Sequence, residues 1–258
     1  MPRFPSRLGL LVALPALVSC CALNRTAVVP VASIAHAQRQ DGRASTLILF
    51  LPGKQSRAGD FDREQFIDLA RAQGVDADLL EVDLHLGYYL DGSSSKRLWE
   101  DIVAPARAAG TEHVWIVGIS LGGSGAIAFA REHPGSLTGL VLLSPYLGPP
   151  GIGATIRAAG GLAAWMPGPS VASDSFESFV VKNWSFLGKA CAAGARTPIV
   201  YLGYGRDEPM APSLDLLADA LPAAQVARVP GGHRWKTWKA LWQELLSRHL
   251  FDAPEAGR

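Results

Sequence analysis

The chain has few of the features that mark several large protein classes. It carries three cysteines, Cys20, Cys21 and Cys191, and this spacing suits neither a disulfide framework nor a metal site. Its formal net charge is only +1, so the electrostatic case for binding nucleic acid is absent. We therefore expect no nucleic-acid partner, no metal and no cysteine nucleophile.

The sequence also lacks an internal repeat and a visible linker between domains. Its 258 residues are 48% hydrophobic and 18% charged, which is typical of a globular protein. A chain of this length lies near the upper limit for one hydrophobic core. We expect a single catalytic domain, which we place at residues 44–252.

The N-terminal residues have the charge pattern of a secretory signal. Arg3 and Arg7 precede an apolar run over residues 8–18, which is too short to span a bilayer. The run ends in Leu17-Val18-Ser19-Cys20, which resembles the cleavage box of bacterial lipoproteins. That resemblance implies a signal peptide over residues 1–19 and a lipid anchor on Cys20, and hence a membrane partner.

The resemblance also bears on location. Cys21 stands where inner-membrane lipoproteins of enterobacteria have aspartate, which implies the outer membrane, facing the periplasm. An ordinary signal peptide is the alternative, since Ala35-His36-Ala37 has a small-x-small pattern, and the protein would then be periplasmic or secreted. We interpret residues 20–43 as a lipid-anchored tether, or, from about residue 24, as a rudimentary first strand.

From Thr46 onward, apolar β-prone runs alternate with stretches of helical period, which is typical of parallel βα units. Runs such as 47–51 are apolar throughout, as in strands covered by helices on both faces. The predicted strands are 46–51, 77–84, 113–119, 137–143, 198–203 and 225–229. The predicted helices are 62–73, 96–109, 121–133, 212–220 and 235–250. The pattern predicts an α/β fold with a mostly parallel sheet of about six strands and helices on both faces.

Residues 148–196 interrupt this alternation and predict a small cap inserted in the catalytic domain. The segment is rich in Gly, Ala and Pro. We expect most of its aromatic residues to pack the cap onto the sheet and one or two to line an acyl pocket. These aromatic residues are Trp165, Phe176, Phe179, Trp184 and Phe186.

A G-x-S-x-G motif, Gly118-Ile119-Ser120-Leu121-Gly122, lies between a predicted strand and a predicted helix. A turn there strains the serine backbone, and glycines are needed where any Cβ would meet neighbouring backbone. Ser120 is thus the candidate nucleophile. Ser124 is a rival in a G-x-S-x-A variant, but we expect it one turn inside the helix.

A serine hydroxyl needs a base, and that base needs a carboxylate to fix its tautomer. Asp207 follows the strand 198–203, and His233 follows the strand 225–229. Because parallel strands end at one edge of the sheet, we expect both near Ser120. Glu208 is the rival acid, and His85 ends a strand from which it could approach the site.

The order serine, acid, histidine at strand ends resembles the α/β-hydrolase family over residues 46–250. The resemblance implies Ser120 as nucleophile, His233 as base and Asp207 as acid. It also implies an oxyanion hole from the backbone N–H of Leu121 and a second donor in the Leu51-Pro52-Gly53-Lys54-Gln55 loop. We favour Lys54, then Gly53; many relatives have histidine where this chain has Pro52.

The implied function is a serine hydrolase that cleaves a carboxylic ester through an acyl-enzyme, without metal or organic cofactor. We expect a small or medium acyl ester as substrate. A membrane-surface lipase or a thioesterase is the first alternative, because these chemistries share the triad. A catalytically silent binding lipoprotein, and a cofactor-free haloperoxidase or carbon–carbon hydrolase on the same scaffold, also remain open.

Overall fold

The computed structural model describes residues 25–37, 44–168, 175–192 and 198–251. A seven-stranded sheet lies at its centre in the order β1-β3-β2-β4-β5-β6-β7. The strands are β1 (Ser33–His36), β2 (Thr46–Leu51), β3 (Asp78–Val82), β4 (His113–Ile119), β5 (Gly139–Leu143), β6 (Ile199–Gly205) and β7 (Val226–Val229). The predicted signal peptide and Cys20 lie outside the described residues.

The six predicted parallel strands are confirmed, because β2 to β7 pair with one another only in parallel. β1 adds a seventh, antiparallel strand at the edge beside β3. Residues Ser33–His36 therefore belong to the sheet, as expected if this segment is a rudimentary first strand and not only a tether.

Helices cover both faces of the sheet. They are α1 (Asp60–Arg63), α2 (Phe66–Ala72), α3 (Leu86–Leu90), α4 (Ser94–Leu98), α5 (Ala104–Ala108), α6 (Leu121–Glu132), α7 (Pro150–Ala158), α8 (Phe176–Ala190), α9 (Ala211–Ala218) and α10 (Trp235–Leu246). A π-helical turn, Trp99–Val103, joins α4 to α5, and a 3₁₀ turn, Ala223–Gln225, precedes β7. None of the helices within the described ranges combines the length and hydropathy needed to cross a bilayer.

Two apolar cores lie on opposite faces of the sheet. One contains side chains of α6, α8 and α9, with Trp184 fully buried in it. The other contains side chains of α1, α2 and α10, with Trp242 fully buried. The continuous apolar strands predicted this double cover. The face of the sheet with the first core is the α6 face, and the face with the second core is the α10 face.

The helices differ from the sequence prediction in two places. The predicted helix 62–73 is divided into α1 and α2 at Gln65, whose φ of 67° leaves the right-handed helical region. The predicted helix 96–109 consists of α4, the π-helical turn and α5. The short α3 was not predicted, and α7 and α8 supply the helical part of the cap.

The strand order puts several loops at one edge of the sheet. The chain passes from β2 outward to β3 and then returns to place β4 on the other side of β2, so the connections change direction between β2 and β4. Open α/β sheets bind ligands at such a switch point, beyond the carboxyl ends of the strands. The loops after β2, β4, β5, β6 and β7 all meet at this edge, which we call the carboxyl edge.

The N-terminal segment also reaches the carboxyl edge. Ser33 pairs with Val82 at the end of β3, so the residues before it lie beyond that strand end. The guanidinium of Arg25 there forms a bidentate ion pair with the carboxylate of Asp83. The Tyr88 hydroxyl donates to the carbonyl oxygen of Val28 over 2.9 Å. This segment is therefore attached to the domain at the same edge as the loops described above.

Candidate active site

Ser120 lies at the turn between β4 and α6 in a strained backbone conformation, with φ 52° and ψ −113°. A Cβ at Gly118 would come within 2.6 Å of the Gly122 carbonyl oxygen, and a Cβ at Gly122 would overlap the carbonyl oxygen of Leu51. No real Cβ atom tolerates such distances, so both positions require glycine. The expected strained turn and its glycine requirement are confirmed.

The imidazole of His233 lies within hydrogen-bonding distance of this serine. Its Nε2 is 2.9 Å from the Ser120 Oγ, although the two residues follow different strands and are 113 positions apart. The indole ring of Trp238 meets the imidazole edge to face, with ring centroids 4.9 Å apart. The sheet thus brings the predicted nucleophile and base together.

The other imidazole nitrogen is bound by Glu208 and not by Asp207. The His233 Nδ1 is 3.0 Å from the Glu208 Oε2, and the glutamate side chain is fully buried. The second carboxylate oxygen, Oε1, accepts the N–H of Gly205 at 3.0 Å and the hydroxyl of Ser144. Glu208, the rival acid, therefore orients the histidine in the structure, and the prediction of Asp207 for this position is corrected.

Asp207 has a different position in the same loop. It is exposed, and its carboxylate accepts the N–H of Gly231 at 2.8 Å, while its own N–H donates to the Gly231 carbonyl over 3.0 Å. Consecutive residues of the turn point in different directions, so only the glutamate reaches the interior. Asp207 fastens the loop after β6 to the loop that carries His233.

Ser144 supports Glu208 directly, and Trp238 supports it through Ser144. Neither residue was identified from the sequence. Ser144 follows β5 with φ 46° and is fully buried, and its N–H donates to the Gly203 carbonyl over 2.7 Å. Its hydroxyl donates to Glu208 and accepts the indole N–H of Trp238 at 3.0 Å. No motif marks either residue in the sequence, because their contacts join three separate segments.

The loop after β2 lies beside the nucleophile. Leu51 pairs with Gly118 in neighbouring strands, and a Cβ on Gly53 would lie 3.5 Å from the Ser120 Cβ. Leu121 is the first residue of α6, and the N–H groups of a first helical turn have no intrahelical acceptor. Both segments are thus near the site, while the choice of Leu121 with Lys54 or Gly53 as oxyanion donors stays a prediction.

The side chains of Ser124, His85 and Cys191 do not take part in the hydrogen bonds of the site. Ser124 is fully buried and donates its hydroxyl to the Tyr146 carbonyl oxygen. Burial raises the pKa of the Cys191 thiol to about 11, so it is protonated and unreactive at neutral pH. His85 is buried and accepts the N–H of Gly87 at the start of α3. Burial, and then the charge of Arg25, lower its pKa.

Residues 95–250, more than half of the chain, match the model of the Esterase family. The chain belongs to the Esterase family. This membership, with the α/β-hydrolase architecture, makes the protein a hydrolase that acts on esters. No curated protein sequence matches this Esterase-family chain.

Solved structures with the same fold support the architecture of this Esterase-family protein. A ferulic acid esterase is 17% identical, with a TM-score of 0.55, and the match covers 82% of this chain and 87% of that one. An S-formylglutathione hydrolase from Staphylococcus aureus is 16% identical, with a TM-score of 0.52 and coverages of 80% and 81%. A monoacylglycerol lipase from Paleococcus ferrophilus is 17% identical, with a TM-score of 0.51 and coverages of 84% and 99%. At these identities the likeness concerns the fold alone.

Two isosteric substitutions at adjacent positions distinguish the two acids. Two donors, the Gly205 N–H and the Ser144 hydroxyl, surround the position of Oε1. In Glu208→Gln the amide oxygen therefore takes that position, and the NH₂ group faces His233 Nδ1. The imidazole is then forced into the tautomer that cannot take a proton from Ser120. We expect kcat for an activated ester to fall about 10³- to 10⁴-fold.

Asp207→Asn keeps an oxygen that can accept the Gly231 N–H, so we expect kcat to fall less than about tenfold. Steady-state kinetics with p-nitrophenyl acetate measures both effects, with thermal unfolding as the control for folding. A larger loss in Asp207→Asn than in Glu208→Gln would contradict the assignment of Glu208.

Ser144→Ala tests the support of the buried carboxylate. The change removes one hydrogen bond to Glu208 and leaves the Trp238 N–H without its acceptor. Alanine and serine both carry a Cβ, so the strain of the positive φ at this position is similar for the two residues. We expect kcat to fall about tenfold with KM nearly unchanged, because the effect reaches the substrate only through Glu208 and His233. Ser136→Ala, a similar loss near the other end of the sheet, is the control and should leave kcat unchanged.

Proposed function

We propose that the protein is a serine carboxylesterase with Ser120 as nucleophile, His233 as base and Glu208 as the acid that orients the base. One observation carries the proposal. A continuous hydrogen-bonded chain runs from the Ser120 hydroxyl through both nitrogens of His233 to a buried carboxylate. Its members follow three different strands, so their proximity is a property of the whole sheet.

In the first step the Ser120 Oγ bonds to the ester carbonyl carbon while its proton passes to His233 Nε2. The carbonyl oxygen of the tetrahedral intermediate carries the negative charge. When the bond to the alcohol oxygen breaks, the imidazolium returns its proton to that oxygen, and an acyl-serine remains. Water then adds in the same way and releases the acid.

The tetrahedral oxyanion needs preorganised donors in this mechanism. We assign one to the backbone N–H of Leu121 and the other to Lys54, with Gly53 as the second choice. Two observations support this pair: Leu121 is the first residue of α6, and Gly53 lies so near the nucleophile that a Cβ on it would be 3.5 Å from the Ser120 Cβ.

The substrate we propose is a carboxylic ester with a small or medium acyl group. Two solved structures with the same fold are named as a ferulic acid esterase and a monoacylglycerol lipase, which supports an ester as substrate. A membrane-surface lipase is the second candidate. The exposure of two large apolar residues of the cap, Met166 and Phe176, favours it.

We also propose that Cys20 is lipidated and holds the protein on the bacterial cell envelope, in the outer membrane facing the periplasm. Arg25, at the carboxyl edge, lies five residues after Cys20. A fully extended chain of five residues spans at most about 17 Å. An anchor on Cys20 would therefore keep the carboxyl edge, and the site on it, close to the membrane surface.

A fluorophosphonate probe tests the nucleophile directly. We expect the purified protein to be labelled stoichiometrically on Ser120, because the hydrogen-bonded base activates that hydroxyl. Ser120→Ala should lose labelling and more than about 10⁴-fold in kcat, while Ser124→Ala should keep the labelling. Peptide mass spectrometry locates the adduct. A folded wild-type protein that neither reacts with the probe nor cleaves an activated ester would refute the hydrolase and favour a silent binding module.

Expression of the full chain in a Gram-negative host tests the anchor. We expect the wild-type protein to enter the detergent phase on Triton X-114 partition and its N-terminal peptide to carry a lipid on Cys20. Cys20→Ala should abolish both, and Cys21→Ala should change neither. If Cys20→Ala is processed and partitions like the wild-type protein, an ordinary signal peptide replaces the lipid anchor.

A further inference from the structure

The cap contains a groove whose purpose the proposed chemistry leaves unassigned. It lies between α7 and α8 and has a volume of about 890 Å³, within the range of small-molecule sites. Its apolar lining includes Ile152, Trp165, Met166, Phe176, Val180 and Val181.

Two of these side chains are unusually exposed for their size. Met166 is 82% exposed and Phe176 is 57% exposed. Single exposed apolar residues are ordinary, but apolar residues that line one concave surface usually mark a binding site. Among the lining residues that the structure describes, the charged side chains are one acid and one base, Glu177 and Lys182, whose formal charges cancel.

The groove is connected to the nucleophile through two stacked rings. The N–H of Tyr146 donates to the backbone carbonyl of Ser120 over 2.9 Å. The Tyr146 ring stacks on Phe176, with centroids 6.2 Å apart and ring planes 26° apart. Because Phe176 lines the groove, a chain of contacts through Tyr146 links the groove to the backbone of Ser120.

The two faces of the sheet divide the two halves of an ester. His233 lies two residues before the start of α10, whose buried side chains belong to the core of the α10 face. The groove lies on the α6 face, where α8 packs on α6 and α7 packs on α9. The leaving alcohol must lie near His233 Nε2 to receive its proton, and the acyl group is then on the other side of the bond that breaks.

We propose that this groove binds the acyl chain of the substrate and gives the enzyme a preference for esters of extended aliphatic acids. The inference rests on the proposed esterase function and narrows its substrate class. An apolar groove lined in part by the flexible side chain of Met166 accommodates aliphatic chains of different lengths.

Gly151 is a position on the groove where a larger side chain has space. It lines the groove in the first turn of α7, and a Cβ placed on it meets no other atom within 4 Å. Replacing glycine inside a helix also favours the helix. Ala154→Phe is the matched control, because this exposed residue lies in the same helix and does not line the groove.

The experiment compares p-nitrophenyl esters from acetate to dodecanoate. In Gly151→Phe we expect kcat/KM for the long esters to fall about tenfold or more, through KM, while the acetate value stays within about twofold. Ala154→Phe should keep the wild-type profile. Dodecanoate, tested as a competitive inhibitor of acetate hydrolysis, should bind more weakly to Gly151→Phe alone.

Three results would overturn the inference. They are an equal loss for all chain lengths, an unchanged profile in Gly151→Phe, and a loss confined to esters in which the alcohol is lengthened and the acyl group is acetyl. Acetate hydrolysis and fluorophosphonate labelling of the wild-type protein report on the esterase separately. If both are absent, the proposed function fails, and the acyl groove fails with it.

Discussion

The buried carboxylate of Glu208 is the constraint on which the geometry of the site depends. A carboxylate removed from water must be paired or fully hydrogen-bonded, and this one has three partners. The Gly205 N–H belongs to β6, the Ser144 hydroxyl follows β5, and the imidazole of His233 follows β7. Satisfying one side chain therefore fixes the relative positions of three strand ends, and that in turn fixes where His233 Nε2 meets Ser120.

Backbone strain at the carboxyl edge is held in place by hydrogen bonds that continue past the strands. Ser120 and Ser144 both have positive φ, which costs about 1–3 kcal/mol for a residue other than glycine. The Ser120 N–H donates to the Leu143 carbonyl, and the Ser144 N–H donates to the Gly203 carbonyl. Each strained residue thus extends the pairing of its strand by one position. The parallel sheet stabilises both turns, and each turn presents a hydroxyl to the site.

The parts of the structure that were predictable are those that a local pattern encodes. Apolar runs such as 47–51 predicted strands covered on both faces, because such strands have few polar positions, and the glycines around Ser120 predicted a turn too crowded for any Cβ. The acid was not decidable, since Asp207 and Glu208 are neighbours in one turn and only the structure shows which points inward. Ser144 and Trp238 have no local signature. Their roles arise from contacts between segments distant in sequence, as does the pairing of β1 with β3.

The same long-range arrangement separates the residues of the proposed proton transfers from the proposed acyl groove. His233 precedes a helix of the α10 face, and Trp238 of that helix packs against its imidazole, whereas the cap follows the loop after β5 and packs on the α6 face. Tyr146 lies at the border, with its N–H on the nucleophile and its ring on Phe176. Residues of the cap can therefore change without displacing the hydrogen bonds of Glu208. A fold divided in this way can alter the acyl group it accepts while the proton transfers stay the same.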